Sequence, residues 1–253
     1  MDLPSGASPQ ALALACLVAF CASILGGLSG FGTGLVLPVF IAPLVGIVNV
    51  IPVMALAMLF NNGGRVLAFH RQTRWPHVRR ILVLGLPACL LGAWGYTFLT
   101  ARWVALSIGV FLLVSIPLRR LLARANWRLY GNGEVAAGAA FGFVNGAMTG
   151  AGVLLIATLM AAGVEGAALI ATDAVISIVM GTMKVALFGS VARLDFSLGL
   201  VAVLIGFCTV PGGFVARALL ARMPARLHAW IMEGVIAIGA MMMLARALDP
   251  KAT

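Results

Sequence analysis

The sequence predicts an all-α, polytopic integral membrane protein, and three observations carry that reading. Strongly apolar residues make up 62% of the 253-residue chain and 30 more are glycine, well above the roughly 45–50% apolar share of a soluble domain. Charged residues are only 9%, against about 25% in soluble proteins, too few to cover a water-facing surface. The charges that exist are gathered between apolar runs. Twelve of the 17 lysines and arginines fall in three short segments: Arg65, Arg71, Arg74, Arg79 and Arg80; Arg119, Arg120, Arg124 and Arg128; Arg217, Arg222 and Arg226. That is the pattern of cytoplasmic loops. The net charge of +10 follows from these loops and does not point to nucleic acid, because no basic face exists outside them.

Taken in order, apolar runs lie near 11–29, 33–45, 47–69, 80–99 and 103–122 in the first half, then 134–148, 152–163, 166–190, 196–219 and 228–247. At 1.5 Å rise per residue about 20 residues cross a hydrocarbon core of about 30 Å. Six or seven runs meet that length. The runs 33–45, 134–148 and 152–163 are too short, and glycine-broken short segments are expected for re-entrant hairpins or discontinuous helices. The N-terminus, Met1-Asp2-Leu3-Pro4, lacks a basic n-region, so the first run is expected to be retained. Cys16, Cys21, Cys89 and Cys208 sit inside apolar runs without metal-ligand spacing and read as small packing residues. No cofactor or metal is expected.

One transporter domain covers 1–253, divided by the basic segment 118–133 into repeats at 11–122 and 134–247. A shift of 120 residues brings Gly26, Gly30, Gly32 and Leu35 onto Gly146, Gly150, Gly152 and Leu155, and Gly46 onto Gly166. Internal duplication in a membrane protein is a transporter signal. If 11–45 and 134–163 are hairpins that enter and leave on one side, each half has three crossings and the halves are inverted. All three basic clusters then face the cytoplasm, leaving Arg102 and the balanced Arg193/Asp195 pair outside. Eight nominal spans are the alternative, so the count lies between six and eight.

The first candidate site is the pair of glycine breaks, Gly26-Gly27-Leu28-Ser29-Gly30-Phe31-Gly32-Thr33-Gly34 and Asn145-Gly146-Ala147-Met148-Thr149-Gly150-Ala151-Gly152. A half-helix starting at about Thr33 or Gly152 presents free backbone N–H groups and a positive dipole end, suited to an anion. Close helix packing through small-xxx-small spacing explains the same glycines without a ligand. Gly30, Gly32, Thr33, Gly34, Thr149, Gly150 and Gly152 are the cradle candidates. A dinucleotide loop is excluded by the absence of a preceding strand. An intramembrane serine hydrolase around Ser29 would need a histidine base at depth, and His70, His77 and His228 sit in or beside basic loops. The chain is not expected to be an enzyme.

The second candidate is the stripe Asp173, Ser177, Met180 and Lys184, spaced along one face of 166–190. A carboxylate inside a span costs a few kcal/mol and is usually functional or paired, so Asp173 is a candidate for proton coupling. Asp173 and Lys184 are about 16 Å apart along the helix and cannot meet without an intermediary. Asn61 and Asn62 are amides within a span that need partners, and Arg65 falls one residue from Lys184 under the repeat shift. Arg65 also reads as the first member of the cytoplasmic cluster. Asn49 is expected to cap a helix start, and Glu134, Glu165 and Glu233 to complement helix dipoles in first turns. Met241, Met242 and Met243 read as filler or lipid contacts.

At these residues the sequence resembles the sulfite exporter TauE/SafE family, also called 4-toluene sulfonate uptake permeases. The resemblance rests on Gly26-x-x-x-Gly30-x-Gly32-x-Gly34-x-x-x-Pro38, on Gly142-x-x-x-Gly146-x-x-x-Gly150-x-Gly152, and on Met183-Lys184-Val185-Ala186-Leu187-Phe188-Gly189 followed by Arg193-Leu194-Asp195. Family members often carry a fuller glycine triplet where this chain has Gly32-Thr33-Gly34 and Gly150-Ala151-Gly152. The resemblance implies transport of a small sulfur-containing anion, such as sulfite, a sulfonate or thiosulfate, across a bacterial cytoplasmic membrane. The residues themselves suggest an inverted-repeat secondary transporter for a small anion. Without a nucleotide-binding loop it would be driven by ion or substrate gradients, a proton being the candidate coupling ion. A passive anion channel and a membrane-embedded subunit of a larger complex are the readings left open.

Overall fold

In lipid every backbone N–H and C=O must be paired within its own segment, so an apolar chain of this kind folds into helices. The computed structural model describes residues 9–29, 32–124, 128–191 and 193–219, with isolated positions 237, 241 and 245 beyond them. Among the described residues the regular elements are helical: α1 (Pro9–Ser29), α2 (Gly32–Val45), α3 (Val50–Phe69), α4 (Trp75–Tyr96), α5 (Ala101–Arg124), α6 (Asn132–Ala147), α7 (Gly152–Ala161), α8 (Gly166–Ser190) and α9 (Phe196–Leu219). Among the described residues, five stretches are long and apolar enough to cross a membrane, within α1, α4, α8 and α9 and over Ile47–Leu67. Apart from the isolated positions 237, 241 and 245, the run 228–247, with His228, Glu233, Met242 and Met243, lies outside the described residues, as do Arg222 and Arg226.

Sequence chemistry explains the element ends. Pro76 sits in the first turn of α4, where its missing N–H costs nothing. Asp195 starts α9: its Oδ1 accepts the Leu198 N–H and the Ser197 hydroxyl, each at 2.8 Å. Arg193 donates to the Thr97 carbonyl at 2.6 Å, so Arg193 and Asp195 serve two different backbone ends, and no ion pair joins them among the described residues. Asn49 also differs from expectation. Its Nδ2 donates to the Val45 carbonyl at 2.8 Å and makes no side-chain cap on α3, so it closes the end of α2 instead.

Contacts between helices fix their directions. Ile81, Gly85 and Cys89 of α4 abut Gly138, Gly142 and Gly146 of α6 in that order, so α4 and α6 run parallel. A Cβ on Gly142 would overlap the Gly85 carbonyl, and one on Gly146 the Cys89 carbonyl. These glycines let two backbones touch, as small-xxx-small spacing does in membranes. Helix α1 runs parallel to α9 in the same way, with Phe20 and Ser23 against Gly212 and Gly27 against Ala216. Helices α3 and α8 run antiparallel, since Gly181 meets Leu59 while Asp173 meets Arg65 further along.

Helices α6 and α7, and likewise α1 and α2, pack against each other as neighbours in the chain. The Leu129 N–H bonds the Ala161 carbonyl at 2.8 Å, which ties the entrance of α6 to the exit of α7. This hairpin enters at the basic end of the molecule, where Glu134 accepts from Arg80 at 3.0 Å and lies 2.7 Å from His77 Nδ1. Glu134 is 1% exposed; beyond its expected place in a first turn, it fastens α6 to α4. The α1–α2 hairpin enters at the opposite end, where the Tyr96 hydroxyl donates to the Val48 carbonyl at 2.8 Å. At 21 residues, α1 is long enough to cross by itself, whereas α2, α6 and α7 have 14, 16 and 10.

Candidate functional site

The two hairpin apices meet inside the helix bundle. Thr149 Oγ1 donates to the Gly34 carbonyl at 3.1 Å, and a Cβ on Gly34 would lie 3.1 Å from the Gly150 backbone. Gly150 adopts φ +83°, a left-handed turn in which side chains are strained, and any side chain there would strike Leu35. The chain can therefore reverse here and bring the N-terminus of α7 against that of α2. Both starts, Gly32–Gly34 and Gly152, carry helix N–H groups without intrahelical partners.

Beside this junction lies a cavity of about 60 Å³. At about 10–15 Å³ of such space per water, it holds a few waters or one small oxyanion. One wall is apolar, from Ile51, Met54, Ala55 and Met58 of α3. Asn62, Arg65, Asn145, Thr149, Asp173, Ser177 and Lys184 supply the polar lining, and four glycines, at 34, 150, 152 and 181, the rest.

Each polar group is placed by its helix. Lys184 Nζ donates to the Asn145 carbonyl at 2.9 Å, satisfying one of the last carbonyls of α6 just before the break. Asn145 Nδ2 approaches Met180 Sδ at 3.6 Å and Cys89 Sγ at 3.8 Å. On the far side, Arg65 Nη1 donates to Asn62 Oδ1 at 3.2 Å, and Arg65 Nη2 lies 2.7 Å from Asp173 Oδ2. Arg65 and Asp173 are 3% and 1% exposed, so this ion pair is shielded from water and bridges α3 to α8. The cavity thus holds two cations, one carboxylate and several neutral donors within apolar walls, a composition suited to a small anion.

A family model described as Sulfite exporter TauE/SafE matches residues 15–243. The chain belongs to the TauE/SafE family. It is a multi-pass membrane transporter and not an enzyme. No curated protein and no solved structure matches it.

In this TauE/SafE protein seven of the residues singled out in the sequence line one cavity: Gly34, Asn62, Thr149, Gly150 and Gly152, with Asp173 and Lys184. Three others lie elsewhere. Thr33 Oγ1 donates to the Ala22 carbonyl at 3.1 Å and packs on Gly26, closing the α1–α2 hairpin. Gly32 and Asn61 are buried but are not among the lining residues. Gly30 lies outside the described residues. Along α8 the stripe divides: Ser177 and Lys184 face the cavity with Asp173, while Met180 packs with Ile81, Phe141 and Leu155 in an apolar cluster. Arg65, which the sequence read both as an echo of Lys184 under the 120-residue shift and as the first member of the basic cluster, lines the cavity. Of the cysteines only Cys89 is buried, and Cys21 is exposed.

Proposed function

We propose that this TauE/SafE transporter moves a small sulfur-containing anion, of the sulfite, sulfonate or thiosulfate class, across the bacterial cytoplasmic membrane by alternating access. The observation that carries the reading is the cavity at the junction of the two hairpin apices, with Lys184 and Arg65 on its wall. Thr149, Asn62 and Ser177 add neutral donors, and the backbone of Gly34, Gly150 and Gly152 allows close approach. Cations, hydroxyls and helix N–H groups together recognise an oxyanion, and the methionines of α3 supply a polarisable wall.

An inverted repeat accounts for how the site opens to each side in turn. Interchanging α1–α4 with α6–α9 leaves the packing partners unchanged: α1 on α9 becomes α6 on α4, and α3 on α9 becomes α8 on α4. The central pair α3 and α8 maps onto itself, and the hairpins enter from opposite ends. Gly46 and Gly166, matched in the sequence, both have positive φ, +79° and +58°. The basic end, with Arg71, Arg74, Arg79 and Arg80, faces the cytoplasm by the positive-inside rule.

The test is uptake by proteoliposomes containing the pure protein, offered sulfite, thiosulfate, sulfoacetate and taurine with and without an imposed proton gradient. Accumulation of at least one anion only with a gradient is expected. Equilibration without accumulation in any gradient would make the protein a channel or uniporter. No flux of any of the four would remove the substrate class.

A further inference from the structure

The Arg65–Asp173 pair lies where the proposed substrate would go. Asp173 Oδ2 sits 2.7 Å from Arg65 Nη2, and both residues line the same cavity as Lys184. An anion that binds Arg65 must share it with, or take it from, a carboxylate already there. We propose that the transported anion displaces Asp173 from Arg65 and that the released carboxylate takes up one proton, so that anion and proton move together. The proposal rests on the transport reading above and names its coupling step.

Charge arithmetic in a low-dielectric cavity supports the exchange. With Arg65 and Lys184 cationic and Asp173 ionised, the three side chains sum to +1. Binding a monoanion while leaving Asp173 ionised would place two negative charges around Arg65, with one of them no longer paired. An unpaired buried charge costs several kcal/mol, and protonation removes it. The sum returns to +1 for a monoanion and is 0 for a dianion such as thiosulfate: one anion and one proton enter, an O–H bond forms on the Asp173 carboxylate, and the proton leaves hydronium on whichever aqueous side the cavity faces.

The surroundings leave Asp173 no other obvious partner. From α3 it meets Arg65. The turn at His70–Gln72, which packs on α8, carries His70 and Arg71, both exposed. From α4, Arg74 contributes its backbone N–H to Thr172 Oγ1 at 3.0 Å, while the side chains of His77 and Arg80 are engaged with Glu134 of α6. Helix α7 brings no ionisable side chain, and Lys184, eleven residues along α8, is held by the Asn145 carbonyl. Asp173 Oδ1 has no hydrogen-bond partner among the described residues, which leaves an acceptor ready for a proton.

Two readouts test the exchange separately from transport. In detergent, sulfite or thiosulfate is titrated into lightly buffered wild-type protein containing a pH dye. Binding is expected to consume about one proton per anion beyond the anion's own protonation, measured without protein. In Asp173→Asn that proton uptake is expected to disappear. In proteoliposomes, Asp173→Asn is expected to lose gradient-driven accumulation, its inside-to-outside ratio falling to one. Gradient-driven accumulation by Asp173→Asn, or wild-type binding without proton uptake, overturns the proposal. Proton-linked binding without wild-type flux sinks the transport reading and leaves the exchange standing. If Asp173→Asn does not fold, the wild-type proton count still decides.

Discussion

Each buried charge in this chain is explained by what it touches, because an ionised side chain inside a span costs a few kcal/mol. Lys184 serves the last carbonyls of α6 and faces the cavity. Replacing it with glutamine removes a charge-assisted contact worth about 1.5–3 kcal/mol, so half-saturating anion concentration is expected to rise about 10–100-fold in proteoliposome uptake. Glu134 is buried between His77 and Arg80. Glu134→Gln is expected to lower the thermal midpoint of the detergent-solubilised protein, and by more than Arg80→Gln does, since Arg80 is 46% exposed and rehydrates readily. Asp195, outside the spans, is held below its ordinary value of 3.8 by the Leu198 N–H and then the Ser197 hydroxyl. A depressed native value means that the cap stabilises above the unfolded value and is lost as pH falls through the folded one. Asp195→Ala is therefore expected to melt earlier than wild type at pH 7, with the difference closing as pH falls through the depressed folded value.

At the scale of elements, bare glycine backbones hold the helices together. A Cβ on Gly142 would overlap the Gly85 carbonyl, and one on Gly85 would lie 2.8 Å from the Gly138 carbonyl; overpacking of this kind costs about 1–3 kcal/mol. Gly142→Ile is expected to separate α6 from α4 and destabilise the protein in detergent unfolding by at least that amount. Gly63→Ala, where nothing lies within 4 Å of the added Cβ, serves as the control. The helix pattern was largely legible in the sequence: the broken runs at 33–45 and 152–163 appear as α2 and α7, because glycine and hydropathy act locally. Which glycines pack and which line a cavity was not legible. Gly142 and Gly146 meet carbonyls of α4, whereas Gly150 and Gly152 face the site, and both roles use the same spacing.

For the whole molecule, the arrangement of charge sets the orientation. In a cysteine-free background, a cysteine at Gln72 is expected to react with a membrane-impermeant maleimide only after the membrane is opened. One at Phe98, which is exposed at the opposite end, reacts in intact cells. The reverse pattern would place the basic end outside and overturn the assignment. The meeting of the apices at Gly34 and Thr149 joins residues 115 apart in the chain, which makes the site a property of the folded bundle.

The sequence by itself determined a polytopic helical membrane protein of the TauE/SafE family, because apolar composition, loop charge and glycine breaks are local signals that need no partner to be read. The tertiary structure alone decided that Arg65 leaves the basic cluster to meet Asp173, that Thr33 closes a hairpin while Thr149 faces the cavity, and that Asn49 ends α2. Each of these depends on which atom comes within about 3 Å of another across helices, and long-range packing sets that distance.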